Sequence, residues 1–338
     1  MEALEIAHVV RGDTFAGVER YVCVVANALS ERGHHVKVVG GDPRMRGELH
    51  EDVGYAAAAS TFAIFTTLLS GSRPGLVHAH MTAAEAAAVA ALARGRTPIV
   101  STRHFPDRRG SRIPKVLARL IRHRLAEQVA ISRFVVQGIG EPCVLIHNGV
   151  AERATAALEK PHALMMQRLD SEKDPGVGIR AWALSGLAQR GWHLTVAGEG
   201  RLTGALRSLA QQLGVSKSVS FPGWTPDTDA LLESSSIFLA PPPAEPFGLA
   251  VVEAMAHGVP VVAADGGAHP ETVGADGFLF PPGDVDAASE RLVALAEDPT
   301  LRRTEGERLR LRQQELFSLD RHVDALEELY LSVLRRPH

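Results

Sequence analysis

Long apolar runs are missing from this 338-residue chain, and no stretch approaches the eighteen or so apolar residues that a membrane-crossing helix requires. No signal-like segment precedes the first apolar stretch, so a cytoplasmic protein is expected, with peripheral residence at the inner face of a membrane as a further option. Aromatic residues make up only 5%, and cysteines number two, Cys23 and Cys143. So wide a separation matches no metal-ligand spacing. Both are expected to be buried thiols of a reducing compartment, with a bridge between them left open. An excess of one charge is also lacking: 36 Lys and Arg stand against 39 Asp and Glu, a formal net charge of -3. Nothing global therefore draws the chain towards nucleic acid.

The remainder is ordinary soluble material, 45% hydrophobic and 22% charged. The length favours two domains of about 150 residues, each able to bury its own core. Apolar strands alternate with amphipathic helices throughout. Residues 4–10 read as a strand, 18–32 as a helix closed by Gly33, and 36–39 as a strand. The loop at Gly17 is short enough to bring backbone near a phosphate. Strands follow at 76–79, 98–102, 129–132 and 144–146, with an alanine-rich helix at 82–94. After a linker at 151–160 come strands at 163–166, 194–197, 219–221 and 237–240, and then helices at 284–297, 301–316 and 321–334. Such alternation implies doubly wound α/β architecture in both halves.

Residues 245–263, EPFGLAVVEAMAHGVPVVA, organise the second half. The prolines before them exclude helix interior. Residues 248–257 carry Leu249, Val252 and Met255 at helical spacing, Gly258 stops the helix, and 259–264 is a buried strand. A loop entering a helix N-terminus offers free N–H groups to a phosphate. Glu245 and Glu253 flank that point, where carboxylates can hold sugar or ribose hydroxyls. The pair His78-x-His80 has the look of metal ligands, but no neighbouring Cys, Asp or further His in the sequence completes a set, so no metal site is expected.

This stretch resembles the signature of glycosyltransferase family four, the retaining, nucleotide-sugar-dependent enzymes of GT-B fold. The paired glutamates, Pro246-Phe247-Gly248 and the Glu253-Ala-Met-Ala…Gly258-Val-Pro-Val-Val tail carry the resemblance. It implies two doubly wound Rossmann-like domains facing a cleft: an acceptor domain at 1–152, a donor domain at 160–318, and a C-terminal helix at 319–338 crossing back to the first. It further implies transfer of a sugar from a nucleoside-diphosphate-sugar to a hydroxyl acceptor (glycolipid, polysaccharide or small-molecule glycoside), without cofactor or metal. Arg168 and Lys173 match the basic pair that neutralises the donor diphosphate. Glu245 matches the residue holding the transferred sugar, and Glu253 the one holding ribose. His104, in Ser-Thr-Arg-His-Phe, matches the histidine beside that sugar. Gly17, Gly198, Glu199, Arg201, Pro222, Phe247, Gly248 and Leu249 fall where relatives contact the donor.

Two departures stand out. Ala16 replaces the first of two adjacent glycines, and Ala151 an aspartate after Asn148-Gly149-Val150. Between 103 and 124 lie seven arginines and Lys115, with an apolar stripe of Ile113, Val116, Leu117, Leu120, Ile121 and Leu125. Such basic amphipathic segments suit an anionic membrane, an anionic acceptor or plain solvent. Two other functions fit the same sequence, a non-catalytic GT-B sugar-binding partner subunit and a sugar-nucleotide epimerase.

Overall fold

The structure is a computed structural model, and it describes residues 3–12, 14–93, 95–109 and 114–336. Asp13, the helical end at Arg94, and Arg112 and Ile113 of the basic stripe lie outside those residues. In chain order the elements are β1 (Glu5–Val10), α1 (Gly17–Glu31), β2 (His35–Gly40), α2 (Met45–Glu48), β3 (Gly54–Ala56), α3 (Thr61–Ser70), β4 (Leu76–His80), α4 (Thr82–Ala91), β5 (Ile99–Arg103), α5 (Lys115–Arg124), β6 (Glu127–Ala130), α6 (Arg133–Ile139) and β7 (Val144–Leu145). They continue with β8 (His162–Met166), α7 (Pro175–Leu184), β9 (His193–Ala197), α8 (Thr203–Gln212), β10 (Val219–Gly223), α9 (Thr228–Glu233), β11 (Ile237–Ala240), α10 (Leu249–Ala256), β12 (Val261–Ala264), α11 (His269–Val273), β13 (Phe278–Phe280), α12 (Val285–Glu297), α13 (Pro299–Leu316) and α14 (Leu319–Arg335).

These form two compact units, residues 1–147 with 319–338, and residues 148–318. The first holds a seven-stranded sheet of order β3-β2-β1-β4-β5-β6-β7, the second a six-stranded sheet of order β10-β9-β8-β11-β12-β13. All strand pairs in both are parallel. A parallel sheet is covered on both faces, which is why β4, β5, β11 and β12 are buried along their whole lengths. In each sheet the strand order reverses once, between β1 and β4 and between β8 and β11, and such reversals open a crevice at the strands' carboxyl ends.

In the first unit, α3, α4 and α5 contribute Ile64, Leu68, Ala84, Ala88 and Ile121 to one core cluster, joined by Leu92 just past the end of α4. In α5 the expected single stripe divides. Ala118, Ile121 and Leu125 are buried, whereas Val116, Leu117 and Leu120 are exposed. The basic segment divides too. Arg109 is sealed and pairs twice with the buried carboxylate of Glu85, at 2.9 Å each. Arg103 is buried, and Arg124 donates to the carbonyls of Leu92, Gly95 and Thr97. The Arg109 guanidinium offsets the burial of Glu85 and holds its pKa below the ordinary value. Three of the seven arginines are thus structural. Cys23 is buried and Cys143 only half-buried, and both are free thiols.

Candidate functional site

The second unit gathers its chemistry at the reversal between β8 and β11. After β8 the chain turns through a short 3-10 segment, Ser171–Lys173, and Asp174 adopts a left-handed conformation before α7. This aims Lys173 at the loop after β11, where its Nζ lies 2.6 Å from Glu245 Oε2. That loop ends at Gly248, whose φ of 87° suits glycine and caps α10. Glu253 lies half-buried on α10. Arg168, about half exposed, is held by Asp170 at 3.1 Å and Glu172 at 2.6 Å. Asp170 also accepts from the Arg201 backbone and guanidinium, and these bonds lower its pKa.

The glycines here answer to the protein's own backbone. A Cβ on Gly198 would stand 2.0 Å from the Gln167 carbonyl, and one on Gly200 2.3 Å from that of Leu169. At Gly266 it would meet the Pro243 carbonyl at 2.1 Å, and at Gly267 the Glu245 carbonyl at 2.3 Å. The turn at 265–267 packs against the loop carrying Glu245. Phe247 turns its side chain inward. Its ring is buried against Phe317, centroids 5.8 Å apart, which leaves its backbone to face the loop. Leu249 is half-buried, and Glu199, Arg201 and Pro222 are exposed. His269 carries no signal in local spacing; it is buried and donates from Nδ1 to the Ala264 carbonyl at 3.0 Å. Its ring comes within 3.5 Å of where a Gly248 Cβ would stand. Burial lowers its pKa, and the Glu245 carboxylate acts the other way.

In the first unit, α1 starts at Gly17 after Ala16, which has no side chain to cap it. Glu19 serves instead, accepting from the Ala16 backbone N–H at 3.2 Å. Glu19 is buried, with its pKa raised mainly by burial, so it is not a solvated first-turn residue. Its carboxylate fills the space over Gly12, where a Cβ would stand 1.7 Å from Oε1.

At the reversal between β1 and β4 lies a buried polar network. Parallel pairing puts His8 opposite His78, which supplies the third histidine that sequence proximity alone did not reveal. One ligand atom from each of His8, His78 and His80 falls within 4.8 Å of the others. The contacts are nevertheless those of hydrogen bonds. His8 Nδ1 and His80 Nε2 are 3.0 Å apart, closer than the roughly 3.4 Å between nitrogens sharing a tetrahedral zinc. His78 is engaged at both nitrogens, by Tyr330 Oη at 2.6 Å and Thr102 Oγ1 at 2.7 Å. His80 Nδ1 meets His104 Nε2 at 3.2 Å. His322 Nδ1 donates to the His147 carbonyl at 2.6 Å, and its Nε2 meets Tyr21 Oη at 2.9 Å. Burial is the first cause of every imidazole shift: His8 and His104 fall to about 3, His322 to about 4, and His78 and His80 well below the ordinary value. At neutral pH all five rings are uncharged.

Two parallel doubly wound units, each with polar groups at its strand-order reversal, define the class of GT-B glycosyltransferase folds. Solved structures agree. A glycosyltransferase from Rickettsia africae superposes with a TM-score of 0.83 at 20% identity over 100% of both chains. Anabaena Alr3699/HepE, determined with UDP and glucose, gives a TM-score of 0.84 at 19% identity, over 97% of this chain and 100% of that one.

The family model described as Glycosyltransferase Family 4 matches residues 15–153, and the one described as Glycosyl transferases group 1 matches residues 151–312. Together they take in nearly the whole chain, which belongs to glycosyltransferase family four. Among curated relatives, an exopolysaccharide phosphotransferase of Streptomyces coelicolor is 30% identical over 74% of this chain but only 28% of its own length. The N-acetyl-alpha-D-glucosaminyl L-malate synthase of Bacillus anthracis is 33% identical over 42% of this chain and 38% of its own. This chain therefore matches well under half the length of either. Mycobacterium tuberculosis glycogen synthase is 27% identical over 94% of this chain and 92% of its own.

Proposed function

We propose that the protein is a retaining glycosyltransferase of hexosyltransferase type that uses a nucleoside-diphosphate-sugar and a hydroxyl acceptor. The observation that carries this reading is the Lys173–Glu245 pair at the β8/β11 reversal, set beside the glycine-capped start of α10. Lys173, Arg168 and the α10 N-terminus hold the donor diphosphate, Glu253 the ribose, and Glu245 the transferred sugar's hydroxyls. Gly17, Gly198, Glu199, Arg201, Pro222, Leu249 and the backbone at Phe247 and Gly248 complete the donor contacts, and His104 supplies a hydrogen bond to the sugar. The C1–phosphate bond breaks while the acceptor oxygen bonds to C1 on the same face. The acceptor proton passes to the departing phosphate, whose growing charge the fixed cations stabilise. The scheme needs no protein-bound metal or cofactor.

Uridine nucleotides head the list of donors to test, because the HepE structures contain UDP and UDP-glucose. A ligand that binds only the folded protein raises its melting temperature. One base of a nucleotide-sugar panel is expected to stabilise the wild type by several degrees, and Glu253→Ala to lose most of that shift. If no nucleoside diphosphate or its sugar shifts the melting temperature, the reading fails, and the non-catalytic partner subunit takes its place.

The acceptor side supports peripheral contact with an anionic membrane. On α5, exposed Val116 and Leu120 share a helix with Lys115 and Arg119, and apolar insertion adds to headgroup attraction. Lys115, Arg119, Arg122 and Glu141 also line a hollow of about 300 Å³ above the sealed Arg109, large enough for a charged acceptor group. Vesicles containing about a third phosphatidylglycerol should sediment the wild type, and Val116→Ser with Leu120→Ser should release it. Equal sedimentation of both would assign the helix to solvent or to a soluble acceptor.

A further inference from the structure

The imidazoles of the first unit form two hydrogen-bonded chains, and only one of them has its proton direction fixed by a carbonyl. In that chain the His147 carbonyl accepts from His322 Nδ1, so the neutral ring's Nε2 is an acceptor and the Tyr21 hydroxyl donates to it. His78 stands apart from both, its two nitrogens bonded to the Tyr330 and Thr102 hydroxyls.

The second chain is His8–His80–His104. It runs from His8 Nδ1 to His80 Nε2 at 3.0 Å, then from His80 Nδ1 to His104 Nε2 at 3.2 Å. Each neutral ring has one N–H, so the chain has only two directions. If His104 Nε2 donates, His80 Nε2 must donate to His8 Nδ1, and His8 Nε2 is left as a sealed N–H. If His8 Nδ1 donates, His80 Nδ1 donates to His104 Nε2, and the His104 proton sits on Nδ1. His8 Nε2 is buried without a hydrogen-bond partner, so the choice turns on which orphan the interior tolerates. Protein interiors harbour orphaned N–H groups less often than unsatisfied acceptors. The second direction is therefore favoured.

We propose that His80 and His8 are positioning residues that hold His104 in its Nδ1–H tautomer, so that the ring presents a hydrogen-bond donor to an oxygen of the transferred sugar. The proposal rests on the assignment of His104 to that sugar, but the tautomer is measurable without any transfer. A donor at Nδ1 binds a sugar oxygen without taking its proton, which suits a reaction in which the acceptor proton goes to phosphate. The group on the far side of a histidine decides which nitrogen carries the proton, and here that group is another histidine. The positive charge of Arg103, next in sequence, adds to burial in keeping the His104 ring neutral.

Long-range 1H–15N correlation of histidine-labelled protein at pH 7.5 tests the arrangement, with the His104 signals assigned by comparison with His104→Gln. The wild type is expected to show His104 protonated at Nδ1 only. His80→Phe keeps a planar ring but removes both hydrogen bonds, and should move the proton towards Nε2. The same variant should lower kcat about tenfold while leaving the donor KM within about twofold. His80→Asn, whose amide N–H reaches where His80 Nδ1 sits, should restore both tautomer and kcat. A wild-type His104 protonated at Nε2, or at both nitrogens, overturns the proposal even if His80→Phe fails to fold. A tautomer change with unaltered kcat overturns the positioning role. A protein with the expected tautomer but no transfer to any acceptor would instead sink the functional assignment of His104.

Discussion

Between pH 7 and pH 5.5 the protein is expected to lose about 5 kcal/mol of stability, a large share of the 5–15 kcal/mol typical of a whole domain. The loss follows from His8, His78, His80, His104 and His322, whose folded pKa values all lie below the ordinary 6.5. As pH falls below 6.5 the unfolded chain takes up a proton at each ring and the folded chain does not. The stabilising contribution is therefore complete above 6.5 and declines as pH falls towards about 4, where His322 begins to charge within the fold. Linkage gives about 1 kcal/mol per ring over this interval. Glu85, whose folded pKa is depressed, contributes stability above the ordinary carboxylate range and loses it only at lower pH, so it leaves this window untouched. Urea unfolding at pH 7.0, 6.0 and 5.5 should show the midpoint dropping steeply. A midpoint constant across the series would mean that the rings take up protons alike in the folded and the unfolded protein.

Lys173→Ala is expected to lower kcat/KM by about 10² to 10³, the usual loss when one fixed stabiliser of developing negative charge is removed. Two effects combine. The proposed diphosphate site loses a cation, and Glu245, whose Oε2 lies 2.6 Å from Nζ, loses its ion-pair partner in a loop packed over Gly267. Arg168→Ala should cost less, about tenfold, because that guanidinium is half exposed and already shared between Asp170 and Glu172. Steady-state kinetics with saturating acceptor separates the two variants. Were Lys173→Ala within threefold of the wild type, or less impaired than Arg168→Ala, Lys173 would lose its place in the site.

The parallel sheets were legible because a strand buried on both faces is a continuous apolar run, and residues 237–240 and 259–264 leave little other choice. The loop–helix unit at 245–257 was legible from its prolines and glycines, which punctuate the chain by steric necessity. What could not be seen were contacts that depend on which strands become neighbours. His8 stands in the apolar run Glu5–Val10, and only the β1–β4 pairing joins it to His78 and His80. Nothing in local spacing shows that Lys173 and Glu245, 72 residues apart, will pair. At 266–267 the glycines are required by the protein's own backbone, and a close approach to backbone leaves the same mark in a sequence as one to substrate. In the basic segment, composition counted arginines without distinguishing Arg109, sealed against Glu85, from Arg119 on the surface.

The membership of α14 in the first unit has a consequence for how the protein is made. Residues 1–147 leave the ribosome first, yet the partners of His78 and Tyr21 in the buried network, Tyr330 and His322, belong to 319–335. The 171 residues of the second unit are translated in between, a wait of roughly ten to thirty seconds at 5–20 residues per second. Throughout that time the nascent first unit has polar side chains facing a groove where its closing helix will lie. Of the two units, the one whose synthesis starts earlier is thus the one finished later, and the other must fold as an insertion within it.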